Sequence, residues 1–357
     1  MASRAATPAT TLLVASAATL RIAAATLLAA PAASLAADTD PPAQSQAPAA
    51  HESPLVAYAL EFAESEPGSD LKATHLATSN LRAVNFELSR HPPPRGEDCA
   101  HTLGAQRFAE QYAQLARIQD ELGNFEAVIE ANKAALACEP RDASYHASIA
   151  DAHLSLGRVA DARAAVERGN AIDPEDLDVR AVRARIDFIQ ERWADAIARF
   201  RLEALQRARY GDYEEYSRCY LWLAQRRAGV QKPQLPPKPS EEKPHEDTVR
   251  DQDSKRWPIP VLETLRGERT DADLVQWIRQ YSMTDTREWL TEALYYVGEL
   301  RLAEGDVETA RRHFATVINL RVLNFVEYGM ARAELARMRE RSPVADAATP
   351  GTGTPPR

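Results

Sequence analysis

The chain is 357 residues long and carries a formal net charge of −9, from 43 Lys and Arg against 52 Asp and Glu. With 45% hydrophobic and 27% charged residues it has the composition of a globular protein, and its excess of acid argues against nucleic acid or anionic lipid as the main ligand. Only 14 glycines and 7% aromatics, beside abundant Ala, Leu, Arg and Glu, favour an all-α protein.

Residues 1–37 hold two arginines, Arg4 and Arg21, and no acid. Arg21 precedes the apolar run IAAATLLAA, and small residues follow near Ser34 and Ala36. That order predicts a secretory signal segment and an exported, periplasmic product. The run is too short to span a bilayer, and no Cys near the cleavage region offers a site for lipid attachment. Residues 38–52 read as a disordered linker and residues 53–96 as weakly patterned N-terminal helices.

A repeat fills the next block, 97–230. Shifting GNFEAVIEANKAALACEP by 34 residues puts Gly123 on Gly157 and Pro140 on Pro174. The same shift relates Phe125, Val159 and Trp193; Val128, Ala162 and Ala196; and Asn132, Val166 and Phe200. Within one unit, Tyr112, Leu115 and Ala116 share a helix face, Gly123 stands at a turn, Phe125 opens a second helix and Pro140 ends it. Helical hairpins are expected at about 109–142, 143–176 and 177–210, with a degenerate unit from Tyr216 to Gly229. Residues 231–256 are rich in Pro and charge and read as a linker. A second block, 257–341, contains a repeat over about 291–324, in which Gly305, Val307, Ala310 and Phe314 hold the same offsets. A capping helix follows it, and residues 342–357 read as a disordered tail.

These residues resemble the tetratricopeptide repeat (TPR) family. The resemblance implies a superhelix of antiparallel helix hairpins whose first helices line a concave groove for an extended peptide or a partner helix. Carried over position by position, the groove residues are Glu110, Gln114, Arg117, Ser148, Asp151, Arg185, Phe188, Trp222, Gln225, Tyr295, Tyr296 and Glu299. Repeats of this family that clamp the C-terminal carboxylate of cytosolic chaperones need Lys and Asn where this chain has Ala113 and Arg117, so that role is not expected. Cys99 and Cys138 fall at neighbouring ends of the first hairpin. A disulfide between them is geometrically reasonable, and three buried small residues are the alternative; Cys219 is too distant to join either.

No motif for nucleophilic, metal-assisted or phosphate chemistry is present. His146 and His153 are seven apart on one helix face, but they occupy packing positions of the repeat and no further ligands gather nearby. The expectation is a non-enzymatic protein without cofactor or metal. The stretch Glu292–Leu335 is narrower in its likeness: Glu292, Tyr295, Gly298, Gly305, Asp306, Ala310, Phe314, Asn324, Phe325, Glu327, Ala331, Glu334 and Leu335 resemble the C-terminal repeat of the NlpI family of bacterial envelope lipoproteins. That likeness implies a periplasmic, often homodimeric adaptor that binds peptidoglycan hydrolases and a processing protease. A pilot or assembly factor for a secretion or pilus machine would use the same groove and is the alternative.

Overall fold

The turn glycines Gly123, Gly157 and Gly305 have φ of +72°, +72° and +85°, a conformation glycine adopts without steric cost. The structure, a computed structural model, describes residues 53–65, 69–90, 96–210, 214–236, 257–282 and 285–341. The expected leader, linker and tail, and most of the 231–256 segment, lie outside the described residues.

The chain enters through α1 (Pro54–Ser65) and α2 (Ser69–Arg90), then a 3-10 turn, Gly96–His101. Three hairpins follow: α3 (Ala105–Glu121) with α4 (Phe125–Cys138), α5 (Ser144–Ser155) with α6 (Val159–Ile172), and α7 (Leu177–Ile189) with α8 (Trp193–Tyr210). Next come α9 (Glu214–Arg227), the short α10 (Ile259–Leu265) and α11 (Asp271–Tyr281). The last hairpin is α12 (Thr286–Ala303) with α13 (Val307–Leu320), and α14 (Val326–Arg341) ends the described chain. Local sequence sets the boundaries. Asp176 and Asp306 cap α7 and α13 by accepting from the Val179 and Thr309 amides, and Thr270 with Asp273 forms a reciprocal capping box at α11. Ala162, Ala196 and Ala310, all fully buried, let the paired helices approach. The architecture is an all-α TPR-like superhelix.

Two packing arrangements go beyond a simple stack. Helix α14 folds against α5 and also touches α7 and α12, so the last helix meets the first repeats. Gly329 makes this approach close: a Cβ there would stand 2.9 Å from the Ser155 Oγ. Helix α1 does not form a hairpin with α2. It packs on α11, α12 and α13, burying Leu55, Val56 and Ala59, while α2 packs on α3. Arg279 binds Glu61 at 2.8 Å and covers the Tyr58 ring, and the Ser53 hydroxyl lies 3.1 Å from His313 Nε2. One hydrophobic core therefore runs from Leu55 to Ala333 and joins both repeat blocks.

The first residues of the 231–256 segment are also tied down. Gln225 donates to the Gln234 carbonyl and accepts from its amide, Arg218 donates to the Pro236 carbonyl, and Leu235 packs on the core. Cys99 and Cys138 form a disulfide with Cα atoms 4.6 Å apart, fixing the 3-10 turn to the end of α4. Cys219 is a buried free thiol. Among the described residues no helix is long and apolar enough to cross a membrane.

Candidate functional site

Closure of the superhelix redistributes the expected groove. Glu110, Gln114 and Arg117 on α3 and Ser148 on α5 remain exposed. Asp151 and Arg185 meet across α5 and α7, with one guanidinium nitrogen on both carboxylate oxygens at 2.7 and 2.9 Å. Phe188, Trp222, Gln225, Tyr295 and Glu299, expected to line an open groove, are instead interior. Phe188 sits edge-on against Trp193, Phe200 and Tyr220, and Tyr295 packs on Phe314 and Tyr220. Gln225 is spent on Gln234, Arg226 covers Trp222, and Glu299 is held by Arg227. The causes differ: rings of neighbouring repeat helices bury Phe188 and Tyr295, the 231–236 segment takes up Gln225, and Arg227, shared with Glu334 of α14, encloses Glu299.

What stays open is a cleft of about 320 Å³ where α7, α8, α9 and α12 face the turn between α13 and α14. Arg185 from α7, Phe200 and Glu203 from α8, and Tyr216, Ser217 and Tyr220 from α9 form one side. Glu292 and Tyr296 from α12 and Asn324–Glu327 form the other. A smaller hollow of about 80 Å³ lies across the same turn, lined by Asp120, Asp151 and Ser155 among others, and shares Asn324, Phe325 and Val326 with the cleft. Of the groove residues expected from the repeat, Arg185 and Tyr296 reach the cleft and Asp151 the hollow. Glu203, Tyr216, Ser217 and Tyr220 escaped sequence reasoning because they come from α8 and from the degenerate repeat. Glu292, Asn324, Phe325 and Glu327 carried a signal, as part of the C-terminal stretch singled out for its likeness.

The cleft is crowded with buried carboxyls. Burial first, and the Glu327 charge second, push Glu292 up to about 8, although it accepts from the Tyr216 hydroxyl at 3.1 Å and from the Trp257 indole. Burial also raises Glu327, which accepts from the Tyr296 hydroxyl at 3.0 Å. In the hollow, burial and then Asp151 push Asp120 up to about 7. Burial opposes the Arg185 charge, but Asp151, Tyr220 and Glu203 together outweigh it and keep the guanidinium protonated. One guanidinium thus faces five carboxyls across cleft and hollow.

A larger cavity, about 740 Å³, opens beside the end of α14 and is lined by Arg227, Arg311, Arg337, Arg339 and Arg341 with Glu191 and Glu308. Its arginines are largely paired already. Arg227 binds Glu299 and Glu191, Arg337 binds Glu334 and Glu191, Arg341 binds Glu191, and Arg311 binds Glu308. This cavity reads as the lock that holds α14 in place. His146 and His153 are half-buried on α5, and burial holds both below the usual histidine value. Among the described residues no three His, Cys, Asp or Glu side chains gather to hold a metal.

A tetratricopeptide repeat family model matches residues 121–186, which run from the end of α3 through most of α7. No curated protein matches the chain. The chain carries tetratricopeptide repeats, modules that serve protein–protein interaction and are typically non-catalytic.

Proposed function

We propose that the protein is an exported, non-catalytic adaptor that holds protein partners of the cell envelope, peptidoglycan hydrolases or a processing protease, at the cleft beside the α13–α14 turn. The observation that carries this reading is the cleft itself. It gathers aromatic and charged side chains from four repeat helices around a turn that the rest of the chain leaves uncovered. Rigid aromatic rings with a few placed charges suit a peptide segment more than a small polar substrate. The leader-like order of residues 1–37 supports export. The likeness of Glu292–Leu335 to the NlpI family supports the envelope role, and four of its residues, Glu292, Asn324, Phe325 and Glu327, line this cleft.

The test is capture. The protein without residues 1–37 is immobilised, periplasmic extract of its source is passed over it, and retained proteins are identified by mass spectrometry. Hydrolases or a processing protease that are retained, and lost on a Phe325→Ala variant, support the reading. Secretion or pilus components retained instead would replace it with an assembly-factor role. Retention unchanged in the variant would remove the cleft from the account.

A further inference from the structure

We propose that the 740 Å³ cavity beside the end of α14 docks an acidic segment of a partner protein, one that sets glutamate or aspartate among leucine-like residues. This goes beyond the adaptor reading above: the cavity shares no lining residue with the cleft and is a second site.

Charge is the first argument. Arg227 from α9, Arg311 from α13, and Arg337, Arg339 and Arg341 from α14 line the cavity against two acids, Glu191 and Glu308. Two more acids are buried behind them. Burial first pushes one of these, Glu299, up to about 8, so it is neutral at pH 7. Even with the other, Glu334, counted as charged, five arginines face three carboxylates. Arg312, bound to Glu308 beside Arg311, adds a further cation. The lining carboxylates register the excess: Arg341 above all holds Glu191 below the usual glutamate range, and Arg311 does so for Glu308. A further carboxylate gains from the same field.

The second argument is that part of this charge is not spent on the fold. Arg227, Arg337 and Arg341 are held by Glu191 in the lock on α14. Arg339 stands outside that lock. It is exposed and has no ion pair among the described residues. Arg311 pairs with Glu308 one turn away, and both side chains are more than half exposed. An exposed pair of this kind is weak and yields to a carboxylate that brings apolar contact with it.

The walls give the third argument. Val307, Arg311 and Ala315 follow one another at four-residue spacing on α13, and Leu335 and Arg339 do so on α14. Apolar and cationic groups therefore alternate along both helices, and Leu302 and Met338 add to the apolar lining. A free inorganic anion would leave that surface uncovered, whereas acids flanked by leucine-like residues cover both kinds of group. The charge of −9 on the whole chain repels an anionic membrane or a nucleic acid. A short acidic segment meets only the local excess. The cavity has more than twice the volume of the cleft and lies within the range of preformed ligand sites.

The experiment uses the full chain and three labelled peptides of sequence Gly-Leu-X-X-Leu-Gly amide, with X as Glu, Gln or Lys, read by fluorescence anisotropy at low salt. The Glu peptide should bind at least about tenfold more tightly than the Gln peptide, and the Lys peptide more weakly than either. The preference should shrink as salt is added. Arg339→Gln should reduce it to less than about threefold with an unchanged urea midpoint, because Arg339 takes no part in the lock. Val307→Ser, at a side chain more than half exposed at the start of α13, should weaken the Glu and Gln peptides alike by about threefold. Arg201→Gln, at an exposed arginine of α8 outside the cavity, should leave the preference at its wild-type value. Equal binding of the three peptides would overturn the assignment, as would a wild-type preference in Arg339→Gln. So would an equal loss in Arg339→Gln and Arg201→Gln, which would make the effect one of net charge. Binding of phosphatidylglycerol vesicles without binding of the Glu peptide would overturn it in favour of a lipid headgroup. A chain that captures envelope proteins but shows no preference for Glu keeps the adaptor role and loses this site. A chain that prefers the Glu peptide yet captures no envelope protein keeps this site and loses the envelope role.

Discussion

Replacing Glu299 by Gln should make the protein less sensitive to alkali. Glu299 is fully buried on α12, and burial first, then the nearby Glu334, push it up to about 8 despite its bond to Arg227. Glu292 is likewise pushed up to about 8. Each holds a proton in the folded chain that the unfolded chain has already released. Raising the pH between the unfolded value, near 4.5, and the folded value therefore costs stability. Below neutrality the effect is mixed, because burial lowers His146, His153 and His313 and so costs stability as the pH falls. Between about pH 6.5 and 7.5 the unfolded chain's histidines release their protons and offset part of the carboxyl loss; above that range the carboxyls dominate. The two together should cost on the order of 2 kcal/mol between about pH 6.5 and 8, after the histidine offset. Asp120 and Glu327, both raised, act in the same direction. Glu299→Gln removes one titrating group while Glu334 and Glu191 still face Arg227, so the slope should become shallower by that residue's share. Urea unfolding followed by far-UV circular dichroism at several pH values measures both slopes. A wild-type stability that is flat or rising across this range, or a variant with the wild-type slope, would refute the reasoning.

Other perturbations test the packing. Asp187 is fully buried and bound by Arg163, Arg192 and Arg199; Asp187→Ala strands these cations and should cost about 3 kcal/mol in chemical denaturation. Gly329→Val inserts a side chain where a Cβ alone would meet Ser155 Oγ at 2.9 Å, and should cost about 1–3 kcal/mol while loosening α14, seen as faster amide exchange there. Reducing Cys99–Cys138, which spans 39 residues, should cost about 4 kcal/mol if the bond acts by restricting the unfolded chain, read as a fall in melting temperature on adding reductant. A protease site placed within 237–256 should leave the two cut pieces bound to each other on a sizing column, because one core joins them.

The hairpins were legible because their steric demands recur in the residues. A left-handed turn selects Gly123, Gly157 and Gly305, and close helix pairs select Ala162, Ala196 and Ala310. The third turn shows the limit of that code. Glu191 takes the glycine position with φ +57° and uses its carboxylate to collect Arg227, Arg337 and Arg341. Its strained backbone and its role belong to tertiary structure, which a local pattern does not encode. The site was less legible for the same reason. Helix periodicity identifies the inward side of α7, α9 and α12, but not whether solvent, a partner or the chain's own neighbouring helices lie there. Phe188, Tyr295 and Glu299 therefore read as groove and are core, whereas Arg185 and Tyr296 reach the cleft. The destination of α1 was equally hidden, since Leu55, Val56 and Ala59 show an apolar face without showing what covers it.

The docking of α1 has a consequence for how the chain acquires its fold. A repeat stack ordinarily grows from neighbour to neighbour and can nucleate anywhere. Here α1, the first of the described helices, finds its resting place only when α11–α13 exist, and Ser53 reaches His313 across 260 residues of sequence. Until then Leu55, Val56 and Ala59 have no surface to cover. Such distant pairing slows the final step and leaves apolar surface open in the meantime. The local hairpins can form early, but completion waits for the far end, which makes the assembled unit all-or-none where a plain solenoid would melt piecemeal.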